Sequence, residues 1–180
     1  MLLYGAPAQS PHEFSRSVKS NTVVGAAIAL TLPTGDYQED KLMNLGGNRW
    51  VLRPQIGVTH TRGKWTFETS GSIFFFSDND DFWNDGKLEN NELFAFQAHV
   101  IYSFRPGLWI SLSTAYGWGW NPKINGEEVH DPRGNWMSAL SFGVPLSRTQ
   151  GIKLSWLQAR TQEETGVDLH SLIVGWSIMF

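Results

Sequence analysis

The chain has 180 residues, enough for one domain, and its 14 Lys and Arg against 17 Asp and Glu give a net charge of −3, which leaves no basic footprint for a nucleic acid. Cysteine is absent, which excludes disulfides, a thiolate metal site and a cysteine nucleophile. No run of about 18 apolar residues exists, which excludes a membrane-crossing helix but not a barrel, whose strands need apolar side chains only at alternate positions.

Residues 1–5 read as the tail of a strand, and 5–19 as a polar connection. Within it Ser10-Pro11-His12-Glu13 has an N-cap, Pro at N1 and Glu at N3, which predicts a helical turn or two. The first full strand is predicted over 22–32, with Val24, Ala26, Ile28, Leu30 and Leu32 on one face. Pro33-Thr34-Gly35-Asp36 ends it, and a polar loop over 37–48 follows. The second strand, 49–61, alternates Trp50, Leu52, Pro54, Ile56 and Val58 with Val51, Arg53, Gln55, Gly57 and Thr59. Pro54 inside it predicts a bulge. After the Arg62-Gly63 turn, the third strand (64–76) sets Trp65, Phe67, Ile73 and Phe75 against Lys64, Thr66, Glu68, Ser70 and Ser72.

A polar loop from Asp78 to about Asn90 leads to the fourth strand (91–104), with Phe94, Phe96, Val100, Tyr102 and Phe104 opposed to Gln97, His99 and Ser103. Arg105-Pro106-Gly107 is a short turn. The fifth strand (108–120) alternates most cleanly: Leu108, Ile110, Leu112, Tyr116, Trp118 and Trp120 against Ser111, Ser113, Ala115 and Gly117. The polar loop 121–133 has Asn125-Gly126 at its tip. The sixth strand (135–146) carries Trp136, Leu140, Phe142, Val144 and Leu146, the seventh (152–161) Ile152, Leu154 and Trp156, and the eighth (168–180) Leu172, Val174, Trp176, Ile178 and Phe180.

Two regularities fix the class. The strands are about 10–14 residues long, near the roughly 9–11 that cross a bilayer with tilt and longer than the roughly 5–6 of globular strands. Connections also alternate, long and polar after strands one, three and five, short after two, four and six. A soluble antiparallel sandwich or lipocalin-like barrel explains the alternation, but predicts shorter strands and fewer outward aromatics. Trp50, Trp65, Tyr102, Phe104, Trp118, Trp120, Trp136 and Trp176 gather near strand ends, where lipid headgroups favour aromatic rings. The reading favoured is an all-β, antiparallel, up-and-down transmembrane barrel in a bacterial outer membrane. It forms a single domain over 1–180, with a strand remnant and periplasmic connection over 1–20 and a meander over 21–180. Placing the carboxyl terminus in the periplasm puts every long loop outside.

Four stretches carry a resemblance: 41–50 (Lys-Leu-Met-Asn-Leu-Gly-Gly-Asn-Arg-Trp), Arg53-Pro54, 75–82 (Phe-Phe-Ser-Asp-Asn-Asp-Asp-Phe) and 104–109 (Phe-Arg-Pro-Gly-Leu-Trp). In these the chain resembles the bacterial outer-membrane transporter family of the MetA pathway of phenol degradation, over nearly its whole length. The resemblance implies a barrel of about twelve strands, within the range of such proteins. It also implies a signal peptide and further strands ahead of the matched region, and hence favours an open sheet with a gap between the first and last strands over a strained closure of the eight strands. Met1-Leu2-Leu3-Tyr4 is too short for a signal peptide's apolar region.

By phase, Arg53, Gln55, Glu68, Gln97, His99 and Lys153 share the polar face. Any such barrel needs a mixed-charge interior; the functional alternative is a pore whose selectivity these residues set. Asp78, Asp80, Asp81 and Asp85 form an acidic cluster in one outer loop. Asp81, Asp85, Gly86 and Glu92 fall at calcium-loop spacing, but Trp83 occupies a position that needs an oxygen ligand, which favours a solvated acidic loop. His130, Asp131, Asp168, His170 and Ser171 are rim positions where a barrel enzyme would hold catalytic groups, without a legible triad order. No phosphate loop, zinc motif or dinucleotide fingerprint is present. The expected partners are the lipid bilayer and a small solute, aromatic or hydrophobic by family resemblance, with no cofactor. The alternatives are a non-transporting envelope barrel that acts through its loops and, third, a membrane enzyme.

Overall fold

A computed structural model describes residues 1–6, 20–41, 43–129, 135–161 and 168–178. Its chain order is β1 (Leu2–Tyr4), β2 (Ser20–Thr31), β3 (Val51–Arg62), β4 (Trp65–Phe76), β5 (Asn79–Phe82), β6 (Gly86–Asn90), β7 (Leu93–Arg105), β8 (Leu108–Trp118), β9 (Pro122–Ile124), β10 (Glu127–Glu128), β11 (Asn135–Pro145), β12 (Gln150–Thr161) and β13 (Leu169–Ile178). The described residues contain no helix. The Ser10–Glu13 helical turn and the terminal Phe180 lie outside them.

The long strands form one nine-stranded antiparallel sheet in the order β1-β2-β3-β4-β7-β8-β11-β12-β13. Each full-length strand pairs with the next full-length strand along the chain, as in a meander. β1 pairs with β2 through Leu2 opposite Gly25, so the strand tail read at residues 1–5 is a strand. No ladder joins β2 to β13 among the described residues. A 12-residue strand such as β4 rises roughly 36 Å and, tilted by about 40°, spans close to the roughly 25 Å apolar band of an outer-membrane barrel.

One end of the sheet carries tight turns with the chemistry they require. Gly63, at φ 60, takes the first central position of the β3–β4 hairpin, where only glycine is unstrained. Pro106 and Gly107 (φ 78) make the β7–β8 turn, Pro fixing the first central residue and Gly supplying the left-handed second.

The register keeps one phase across the whole sheet. Thr59 lies opposite Glu68, Glu68 opposite His99, His99 opposite Ser113, Ser113 opposite Ala139, Ala139 opposite Leu157 and Leu157 opposite Ser171. A one-residue slip anywhere would exchange the faces. The face bearing this row is mostly small and polar, with Leu157 and Ile173 among its exceptions; the other carries most of the large apolar residues.

Exposure is inverted relative to a soluble protein. Among the described residues no large apolar side chain is buried, while Ser111, Ser141 and Ser155 are only 6–7% exposed. Leu112, next to Ser111, is 61% exposed, and Leu172 is 75% exposed. Apolar area of this extent left in water would cost about 25 cal/mol per Å², far beyond the patches that monomers tolerate. In hydrocarbon the same side chains are at home, and the pleat delivers them there.

Three expectations need correction. Pro54 makes no bulge: Ile28 opposite Pro54 stays in register with its neighbours, and the β3–β4 register is unshifted on either side of residues 53–54. The missing N–H of proline interrupts the β3–β4 ladder without adding a residue. The polar loops 78–90 and 121–133 are not irregular throughout. They fold into hairpins β5–β6 and β9–β10, joined through β6–β9 into a second, four-stranded sheet. Finally, the fifth strand stops at Trp118, not Trp120. Gly119 at φ 98 turns the chain, and Trp120 leaves the apolar face.

The aromatic rings form a group at each end of the apolar face. Trp65 and Tyr102 (4.8 Å) and Tyr102 and Phe104 (4.9 Å) pack beside the tight turns. Phe94 and Trp118 stack at 5.6 Å, and Tyr116 meets Trp136 at 6.0 Å, beside the long loops.

Candidate functional site

The small, polar face is the candidate site. Glycine, alanine, serine and threonine dominate it, and its middle is crowded enough to cover Ser111, Ser141 and Ser155 almost entirely. Ser141 and Ser155 hydroxyls meet across β11–β12 at 2.8 Å. Gly143 faces the Trp109 indole so closely that a Cβ there would collide with the ring. Lys153 lies opposite Gly143, near the tight-turn end.

The six polar residues singled out by phase all sit on this face, but not together. Glu68 and His99 are cross-strand neighbours at mid-height, and His99 Nδ1 and the Ser113 hydroxyl share a hydrogen bond of 2.8 Å. Gln97, opposite Ser70, and Gln55, opposite Ser72, lie progressively closer to the long loops. Arg53 is higher still. Lys153 is separate, toward the other end and several strands away.

At the long-loop end the face becomes cationic and aromatic. The Arg53 guanidinium lies over Phe74, 5.3 Å from its centroid. The Arg49 guanidinium lies 4.6 Å from the Phe76 centroid and 5.3 Å from that of Trp120. Phe74 and Phe76 stack at 6.3 Å, and Phe76 meets Trp120 edge-on at 5.1 Å. Contacts of this type contribute about 0.5–2 kcal/mol each, more where water is excluded. Burial lowers the Arg49 pKa from its ordinary value, though guanidinium stays charged. Arg49 Nη1 and Arg53 Nε are buried without an acceptor, an arrangement that costs roughly 1–3 kcal/mol per donor. Arg49, Phe74, Phe76 and Trp120 were not among the residues read as site candidates. The first three were available by continuing the alternation one or two positions past the polar residues already named. Trp120 was not, because Gly119 reverses its phase.

Above this end, Asn79 holds the loops together. It is 2% exposed. Its amide donates to the Tyr37 hydroxyl (2.9 Å), and its carbonyl accepts from Asn48 Nδ2 (3.0 Å) and from the Asp81 N–H (3.2 Å). Asn48 also donates to Asp81 Oδ2 at 3.2 Å. Trp50 N–H donates to the Ser77 hydroxyl, and Ser77 N–H donates to the Trp50 carbonyl, each at 3.0 Å.

The acidic cluster divides. Asp78 binds Lys87 Nζ at 2.7 Å, Glu89 does so at 3.2 Å, and Asp80 lies 3.9 Å away. The hydrogen bonds that Lys87 donates to Asp78 and then to Glu89 raise its pKa. Asp81 faces Asn48, and Asp85 sits in the hairpin turn, where Trp83, Asn84 and Asp85 all have positive φ. The calcium-loop spacing therefore runs along a hairpin. No group of three metal-ligating side chains gathers among the described residues.

Of the rim residues, His130 and Asp131 lie outside the described residues. His170 stacks on Trp156 (6.1 Å) on the apolar face. Ser171, opposite Leu157, is on the other face, so these two do not meet.

Residues 11–168 match the protein family described as "Putative MetA-pathway of phenol degradation". The fold is similar to that of the COG4313 outer membrane channel from Pseudomonas putida F1 in its crystal structure, with a TM-score of 0.81 and 25% identity. The alignment covers 89% of this chain and 61% of that one. The chain thus spans less than two thirds of that channel's length. No curated protein matches the chain.

Proposed function

Because the chain belongs to the family described as "Putative MetA-pathway of phenol degradation", and its antiparallel strands follow an outer-membrane channel, we propose that it lines a conduit for small solutes across the bacterial outer membrane. The observation that carries this reading is the inverted exposure: buried serines on one face and most of the exposed Leu, Ile, Val, Phe and Trp on the other, with Leu169 and Ile173 the exceptions in the last strand. A wall with lipid on one side and a wet lumen on the other needs that arrangement.

On this reading Arg53, Gln55, Glu68, Gln97, His99 and Lys153 face the lumen. Their charges are mixed, as suits a hydrated pore that discriminates by local constrictions and not by one overall charge sign. The hairpin sheet of β5, β6, β9 and β10 joins the ends of β4, β7 and β8 on the outer side. The family description supports aromatic solutes as the class carried. No chemical step is assigned to the protein.

Reconstitution into planar bilayers tests the reading. Discrete conductance steps are expected, with a reversal potential in a salt gradient that shifts when Arg53 or Glu68 is neutralised. Protein that is folded, by its heat-dependent mobility in detergent gels, yet never conducts would favour a second reading. In that case the ordered loop sheet itself, pinned by Asn79, is the functional surface.

A further inference from the structure

We propose that the Arg49–Arg53 ladder is a binding site for small organic anions with a flat apolar body, the aromatic carboxylate class, at the outer mouth of the conduit. This rests on the channel reading above for its location, and on the cluster's own chemistry for its ligand.

Three observations carry it. First, the two cations are uncompensated: among the described residues neither guanidinium is within ion-pair distance of a carboxylate, although five acids lie on the hairpin beyond (Asp78, Asp80, Asp81, Asp85 and Glu89). Those acids are engaged elsewhere in part, Asp78 and Glu89 on Lys87 and Asp81 on Asn48. Second, the guanidiniums make no hydrogen bond among the described residues, and each has a buried donor without an acceptor. They are held by ring faces, which fix the planar fork while leaving its hydrogen-bonding capacity unused. A fork of parallel N–H groups matches a carboxylate. Third, the surroundings are aromatic. Phe74, Phe76 and Trp120 form a continuous packed set around the two cations, which gives a solute ring an apolar contact beside the charge. Arg49 and Arg53 are only partly buried, so a solute can reach the remainder of each.

A charge without a ring would find the cations but not the aromatic contact. A ring without a charge would find the contact but leave the forks empty. Both halves must contribute.

The test uses the full chain refolded in detergent, with folding checked by heat-dependent gel mobility. Benzoate, acetate and benzamide are titrated by calorimetry at pH 7. Benzoate should bind at least about ten-fold more tightly than either of the others, a difference of about 1.4 kcal/mol. Arg49→Gln with Arg53→Gln should remove that advantage and leave benzamide unchanged. Arg49→Lys with Arg53→Lys, which keeps the charge but loses the planar fork, should retain only part of it. Arg148→Gln, on the tight turn between β11 and β12 at the opposite end, should bind benzoate like the parent. Benzoate affinity that survives in the folded Gln variant, or equals that of benzamide, overturns the proposal. Bilayer recordings in benzoate separate the two readings. Arg-dependent benzoate binding without conductance would remove the channel and keep the site. Conductance without Arg-dependent benzoate binding would do the reverse.

Discussion

The two sheets of this protein are stabilised in opposite ways. The nine-stranded sheet has no buried apolar core among its described residues; its large side chains point outward and need lipid. Its backbone ladders and a crowded face of serine and glycine do the rest. The four-stranded loop sheet stands beyond the apolar band and is tied down by polar side chains: Asn79 as a buried hub, Asn48 as its partner and Lys87 among three acids. Solvent explains the difference. Where hydrocarbon surrounds the chain, backbone polar groups must be satisfied within it and apolar side chains are free to face out. Where water surrounds a short hairpin, a two-stranded ribbon is marginal alone, and specific side-chain bonds must hold it in place.

The largest effect that would break this comparison lies on the long sheet. Leu112 and Ser111 are sequence neighbours, 61% and 7% exposed. Leu112→Arg near the bilayer midplane should destabilise the folded protein by roughly 2–4 kcal/mol, and Ser111→Arg by much less. Urea titration in lipid vesicles, scored by gel mobility, measures both. Equal penalties would mean that the assignment of faces is wrong.

A middle-sized effect is expected at Asn79. Asn79→Ala strands the Tyr37 and Asn48 groups that it now satisfies, at a cost of roughly 1–3 kcal/mol. That loss should appear locally. The loops at 32–50 and 77–92 should be cut faster by protease while urea unfolding of the long sheet is little changed. A parallel drop in both would show that the two sheets form one cooperative unit.

The sequence made the long sheet legible for the same physical reason. A wall between two solvents demands strict alternation, and alternation survives in a single sequence. Ser111 and Leu112, or Ser141 and Phe142, declare their faces without a structure. The loop sheet was hidden because a ribbon with water on both sides shows no such pattern. Asn79-Asp80-Asp81 and Glu127-Glu128 read as loop. The turn at Asn125 and Gly126, both at positive φ, was visible, but not that its first arm, β9, pairs with β6. The motifs behind the family resemblance turned out to meet: Asn48 of one touches Asn79 and Asp81 of the other. At the candidate mouth, Arg53 was legible by phase. Trp120 was not, since one glycine with positive φ moves it from the lipid side to the Arg49 cluster.

The smallest expected effect concerns charge in the loop sheet. Asp78 and Glu89 hydrogen-bond Lys87 and raise its pKa above the ordinary value of 10.5. A cation whose folded pKa is raised contributes stability that is fully present below its unfolded pKa, and that stability is lost as pH rises through the folded value. The Lys87 contribution should therefore be constant from neutral pH up to about the ordinary lysine value and fade only above it. Carbon-13 labelling of lysine reads this directly, because the Cε resonance shifts as the ammonium loses its proton. Lys87 should titrate later than free lysine. Asp78→Asn should move its titration back toward the ordinary value, more than Glu89→Gln does, since Asp78 makes the shorter contact, 2.7 Å against 3.2 Å. High salt should narrow the difference, because these side chains are partly open to solvent and exposed charges are screened within a few ångströms at about 1 M. A Lys87 titration indifferent to Asp78 would mean that the hairpin is held by Asn79 and its backbone ladder alone, without help from its charges.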